Sequence, residues 1–373
     1  MFLAKTEHLR YKHILTITGI TFLFSFLLHY PLPVPKIFSD VIFFWATRPD
    51  VHGYLVPYID YNLEYPVISG LVLYLSGQWH DVFGYYVTIS LITLVFVVIS
   101  IYIVNKVLLI SNQSKGRIIY YVILTPVFVV YSVYSFDWIG IGFLLLSIYC
   151  CHKKKAPLSG LFLGLSIATR IIPIVCMPFI LREFKSWKEK TLFLTTVSLA
   201  WLVPHLYFIL KNFSGFFYTY AFQSSWHVED SWLLIFGLDF PGKQYVSLVL
   251  LIPLLVLIYS RHKLNIWESC FLALLAFVLT SYKFPPQYMI LLLPFFALVR
   301  TNYVLFIVAC ILDMSIIAFL SPLQSMGWAT WYITSPIQWI AIARQLILIP
   351  IFIIIFISKK DKTIKYNTEK APT

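Results

Sequence analysis

Charge is what this chain has least of. Only 12% of its 373 residues are charged and 16 are acidic, whereas 60% are hydrophobic. A globular domain carries about 25% charged residues, so a water-soluble fold is excluded. Also missing is any polar stretch long enough to fold as a separate domain. No Walker A loop, Rossmann glycine pattern or HExxH helix occurs, which leaves a nucleotide-linked substrate with little to hold it. Cysteines are few. Cys150, Cys151, Cys176, Cys270 and Cys310 all fall in apolar segments without metal spacing, and read as small buried apolar side chains. The net charge of +12 does not point to nucleic acid, because Lys and Arg in a membrane protein mark its cytoplasmic loops. No internal repeat is visible.

What remains is long apolar runs, such as Val82–Val104 and Val246–Tyr259. A span needs about 20 apolar residues, fewer where it is buried or broken. The expected fold class is an all-α polytopic membrane protein. Helices are predicted at 13–30, 82–104, 118–135, 137–151, 156–169, 171–182, 191–210, 244–260, 266–282, 287–300, 302–319 and 336–358, giving about 12 passes. No small-residue cleavage site follows the first apolar stretch, so residues 13–30 are expected to be a retained first helix. Residues 1–358 form one integral-membrane domain, and residues 359–373 a basic tail.

This threading puts both termini in the cytoplasm, with the plasma membrane as the expected location. It then places 21 of the 28 Lys and Arg inside, as the positive-inside rule requires. The acidic residues lean the other way. Asp40, Asp50, Asp60, Glu64, Asp81, Asp137, Glu229, Asp230 and Asp239 lie at the outer face, 9 of 16. Outer chemistry would explain this skew, and so would the solvation of any outer loop. Two stretches break the threading. Tyr65–Gly77 is too short to cross and reads as an interfacial or re-entrant helix. Leu158–Leu181 carries Thr169-Arg170 near its middle and Pro173 after it. A charge there is costly in lipid, so two short helices meeting at Arg170 near the outer face are expected, as in broken helices that line polar cavities.

Four polar constellations could carry chemistry. Asp40 follows Pro31, Pro33 and Pro35 and precedes VIFFW, the pattern of a juxtamembrane helix lying on the interface. A poorly solvated carboxylate keeps a raised proton affinity and can act as a general base; Ser39-Asp40 is equally a helix-cap signal. In VPYIDYNLEYP, Asp60 and Glu64 would share one face of a helix and could split acid and base roles or hold a divalent ion. Alternatively, bracketed by Pro57 and Pro66, they could brace a rigid turn. The segment SSWHVEDSW supplies Trp226, His227, Glu229 and Asp230. Rings stack on sugar faces, carboxylates accept from hydroxyls, and His227 could relay a proton; an interfacial aromatic belt has the same composition. The last group is cationic. Arg170 and Lys283 suit a phosphate, or snorkelling to lipid head groups, and Gln287-Tyr288 adds neutral donors.

Taken in order, these stretches resemble the membrane-embedded GT-C glycosyltransferases, most closely glycosyltransferase family 87, the polyprenol-phosphate-mannose-dependent mannosyltransferases of the phosphatidylinositol mannoside type. The likeness rests on SDVIFFW with VPYIDYNLEYP, on FDWIGIGFLLLSIY with SGLFLGLSIATRIIPIVCMPFIL, on WHVEDSW, and on KFPPQYMILLLPFFAL. It spans roughly residues 39–298. Departures are Val67 where the family has a second proline, Arg170 for its common lysine, and Asp230-Ser231 for Glu-Ser. The resemblance implies Asp40 as the catalytic base and a mannosyl-phospho-polyprenol donor. It also implies an inverting transfer at the extracytoplasmic face to a glycolipid or glycan acceptor. Arg170 and Lys283 would then hold the donor phosphate, while Asp60, Glu64, Tyr65, Trp226, His227, Glu229, Asp230, Gln287 and Tyr288 shape the sugar and acceptor sites. Mannose follows from the likeness alone. No cofactor is required, and a divalent ion is compatible with the chemistry without being demanded by it. A transporter or flippase of a lipid-linked saccharide is the alternative; it predicts polar residues through both halves of the membrane, whereas Asp313 and Arg344 are the only charges placed deep in helices away from the outer cluster, where they could pair.

Overall fold

The computed structural model describes residues 10–31 and 37–358. The basic tail at 359–373, most of the N-terminal tail, and Pro33 and Pro35 lie outside the described residues. Sixteen α-helices occur among the described residues: α1 Tyr11–Leu28, α2 Asp40–Thr47, α3 Val67–Gly77, α4 Val82–Ile110, α5 Gly116–Ile118, α6 Pro126–Tyr131, α7 Asp137–His152, α8 Ala156–Thr169, α9 Met177–Arg182, α10 Trp187–Lys211, α11 Phe213–Ser225, α12 Lys243–Ser260, α13 Ile266–Thr280, α14 Met289–Leu298, α15 Tyr303–Ser325 and α16 Pro336–Ile357. Among the described residues there is no strand, only two isolated bridges.

Six helices, α1, α4, α10, α12, α15 and α16, are long and apolar enough to cross a membrane. They expose apolar side chains such as Val249, Val256 and Val203, a surface that suits lipid. The shorter apolar helices do the opposite. Every residue of α14 is buried, and α7 and α13 are nearly so. The short apolar helices are thus the more buried and the long ones the more exposed. A helix that is apolar all round has no solvent face to present, so these short segments go to the centre.

The predicted boundaries hold within a few residues for most helices. The continuous helix expected at 118–135 is replaced by α5, a π-helical turn at Ile119–Ile123, and α6. Pro126 cannot donate its backbone amide, and the Thr125 side chain instead caps the new start by accepting from Phe128 N at 3.1 Å. Tyr65–Gly77 contains α3, packed against α4 and α8. The break at Arg170 is present. α8 ends at Thr169, Arg170 is extended, and a 3₁₀ turn at Ile172–Cys176 leads into α9. Close packing positions α8. A Cβ on Gly160 would lie 2.4 Å from the Phe193 carbonyl, and one on Gly164 would lie 2.5 Å from that of Val197. The small-xxx-small spacing lets α8 and α10 meet backbone to backbone.

Candidate functional site

The site is built where four separate stretches meet at one end of the core. Asp40 opens α2. Its neighbourhood is pinned by Val41 N donating to the Tyr134 carbonyl at 3.2 Å and by Tyr85 Oη donating to the Val41 carbonyl at 3.1 Å. Ser39 takes the cap position but makes no side-chain cap bond, so Asp40 is left to other partners. Tyr65 Oη donates to Asp40 Oδ2 at 3.5 Å and Gln287 Nε2 at 3.3 Å, and the Tyr134 hydroxyl also bonds the carboxyl. Burial pushes the Asp40 carboxyl up to about 7, against the pull of the Arg170 guanidinium, while the Asp137 and Glu229 carboxylates push the same way as burial.

Arg170 closes one side. Its Nε lies 2.6 Å from Asp137 Oδ1, and its guanidinium sits 4.7 Å over the Tyr65 ring. Its Nη2 is buried with no partner among the described residues. Arg170, Asp137 and Tyr288 line a small cleft together with the apolar Gly140, Ile141, Ile172, Pro173 and Leu291. Asp137 is the residue of this site that sequence reasoning left unassigned. The missed signal was the need of Arg170, in an apolar stretch, for a buried counter-ion.

Lys283 is the second cation. Residues 229 and 283 are joined by a short parallel bridge. Glu229 N donates to the Tyr282 carbonyl at 3.0 Å and Phe284 N to the Glu229 carbonyl at 2.9 Å. Lys283 Nζ therefore lies 4.0 Å from Glu229 Oε2, 4.4 Å over the Trp226 ring and 3.4 Å from Gln223 Oε1. Trp226 Nε1 donates to Glu229 Oε2 at 2.8 Å. Burial lowers the Lys283 pKa, opposed by Glu229. His227 stacks beside Trp226. Burial lowers its pKa too, against Glu229, and its Nε2 is buried without a partner.

Three expectations change. Asp60 and Glu64 do not share a helix face, because Pro57–Tyr61 forms a tight turn in which Tyr58 N donates to the Tyr61 carbonyl at 2.8 Å. Asp60 is exposed and accepts from Val56 N at 2.7 Å, so it braces this turn. Glu64 pairs instead with Arg48 at 3.1 Å, and its carbonyl accepts from Gln223 Nε2 at 3.0 Å, which ties the turn to the edge of the site. Asp230 faces away from Lys283. It takes a left-handed backbone, φ 50°, and its carboxylate is buried against Gln338 Nε2 at 3.0 Å, with its pKa raised by burial. The structure thus brings together Asp40, Tyr65, Arg170, Trp226, His227, Glu229, Lys283, Gln287 and Tyr288, and sets Asp60 and Asp230 apart.

No group of three or more His, Cys, Asp or Glu converges as metal ligands among the described residues. Chemically the site offers one carboxylate of high proton affinity, two cations each held by its own carboxylate, and an aromatic face. Compared with known proteins, the chain matches no family model and no curated protein.

Proposed function

We propose that this protein is an inverting glycosyltransferase that moves a sugar, mannose by resemblance, from a polyprenyl phosphate to a lipid-linked or glycan acceptor. The observation that carries this reading is the convergence of Asp40, Arg170 and Lys283 from distant parts of the chain around one poorly solvated site. Asp40 removes the proton of the acceptor hydroxyl as that oxygen bonds to the sugar anomeric carbon. The bond from that carbon to the phosphate oxygen breaks, and the lipid phosphate leaves with the electron pair. The unpartnered Nη2 of Arg170 and the ammonium of Lys283 balance the charge on the departing phosphate. A phosphate leaves as an anion, so no general acid is needed. A base opposite the leaving group gives inversion. Trp226 and His227 offer ring faces to the sugar.

In this reading the helices form a GT-C arrangement of about 12 passes, with both termini cytoplasmic and the site at the extracytoplasmic face of the plasma membrane. The charge asymmetry of the loops supports this orientation. The test is purified protein in detergent with radiolabelled polyprenyl-phosphate mannose and a crude lipid extract. A new labelled glycolipid is expected. Donor that stays intact and unbound would contradict the assignment.

A further inference from the structure

A second ion pair lies deeper in the fold. Asp313 on α15 and Arg344 on α16 meet at 2.6 Å, both side chains fully buried. Desolvating such a pair offsets most of what its attraction returns, and apolar side chains of similar size commonly hold two helices as well. The other contacts of Arg344 say what the charge is for. Its Nη2 donates to the carbonyl of Asp230 at 3.2 Å and to that of Phe284, and its guanidinium lies 3.9 Å over the Phe284 ring. Those two carbonyls adjoin Glu229 and Lys283, the bridged residues that bear the cation of the site. The same helix continues the grip: Gln338 holds the Asp230 carboxylate, and Gln345 Oε1 accepts from Trp232 N at 2.8 Å. A guanidinium holds its donors in a fixed planar fork that spans separate acceptors, whereas an ammonium is a compact point charge at the end of a flexible stem.

We infer that Arg344, oriented by Asp313, is a positioning residue that fixes the Glu229–Lys283 bridge, and with it the Lys283 ammonium, for an anionic phosphate in the site. This rests on the proposed lipid-phosphate donor for the identity of the anion, but not for the placement of the bridge.

The test uses the full-length protein with the apolar pair Asp313→Leu with Arg344→Met. Hydrogen exchange should speed up roughly tenfold or more at the amides of Glu229 and Phe284, while amides of α15 and α16 stay protected, since one bridge and not the bundle is released. The KM for polyprenyl-phosphate mannose should rise roughly tenfold, the loss of one well-placed charge contact, with kcat changed much less. If the pair fails to fold, Arg344→Lys keeps a charge for Asp313, loses the fork, and is read the same way. Folded variants with wild-type exchange and wild-type KM would overturn the inference and leave the pair purely structural. A wild-type protein that transfers no sugar, alongside variants whose bridge exchanges faster, would sink the proposed activity while supporting the positioning role.

Discussion

Asp40 stands between opposing influences. Burial and the carboxylates of Asp137 and Glu229 raise its proton affinity, and the Arg170 guanidinium lowers it. A general base works only when deprotonated. The rate kcat/KM should therefore fall tenfold per pH unit below about 7 and level off above it. A limb near the ordinary carboxylate value would show that the site is more solvated than its geometry implies. Asp137→Asn removes a negative neighbour and should move that limb to lower pH, readable in the same profile. Residue types at this site were legible in the sequence, because carboxylates and cations are conspicuous in so apolar a chain. Their pairings were not. Asp137 meets Arg170 only because α7 and α8 pack together. Asp60 and Glu64 looked like partners because the four-residue spacing assumes a helix, which Pro57, Pro66 and the positive φ of Tyr58 do not permit.

At the scale of elements, the position of Arg170 depends on α8, whose approach to α10 depends on Gly160 and Gly164. Gly164→Leu would drive a side chain into the Val197 carbonyl and the Ala200 methyl. Such overpacking costs about 1–3 kcal/mol, so a lower melting temperature in detergent and weaker donor binding should appear together; a variant as stable as wild type would contradict the packing argument. Helix positions were readable from apolar runs, and the break at Arg170 from the cost of a charge in lipid. The interruption at Ile119–Pro126 leaves the apolar pattern unbroken, and its one mark in the sequence is Thr125-Pro126, a cap residue before a first-turn proline. The pairing of Asp313 with Arg344 was foreseeable, since two isolated charges in apolar helices need each other. Their grip on the 230 and 284 carbonyls was not, because backbone acceptors leave no mark in a sequence.

For the whole molecule, the burial of the short helices explains how the fold can hold a water-poor polar site. The ends of short helices, including the start of α7 at Asp137 and the end of α8 at Thr169, are buried within the protein body. Polar side chains at those ends are sheltered from solvent, and charges there must pair or await a charged ligand. Composition foretold the class of fold, and loop charge suggested its orientation. The division into buried short helices and exposed long ones emerges only from three-dimensional packing, because an apolar run reads alike whether it faces lipid or other helices.

The proposed reaction turns on Asp40 as its base. The most direct measurement is sugar transfer by wild type and Asp40→Asn prepared side by side, with donor binding measured on each. Asparagine keeps the shape and can still accept from Gln287 and Tyr65, so folding and donor binding should persist while transfer falls about 10²–10⁴-fold. Transfer at the wild-type rate by a folded, donor-binding Asp40→Asn protein would contradict the account.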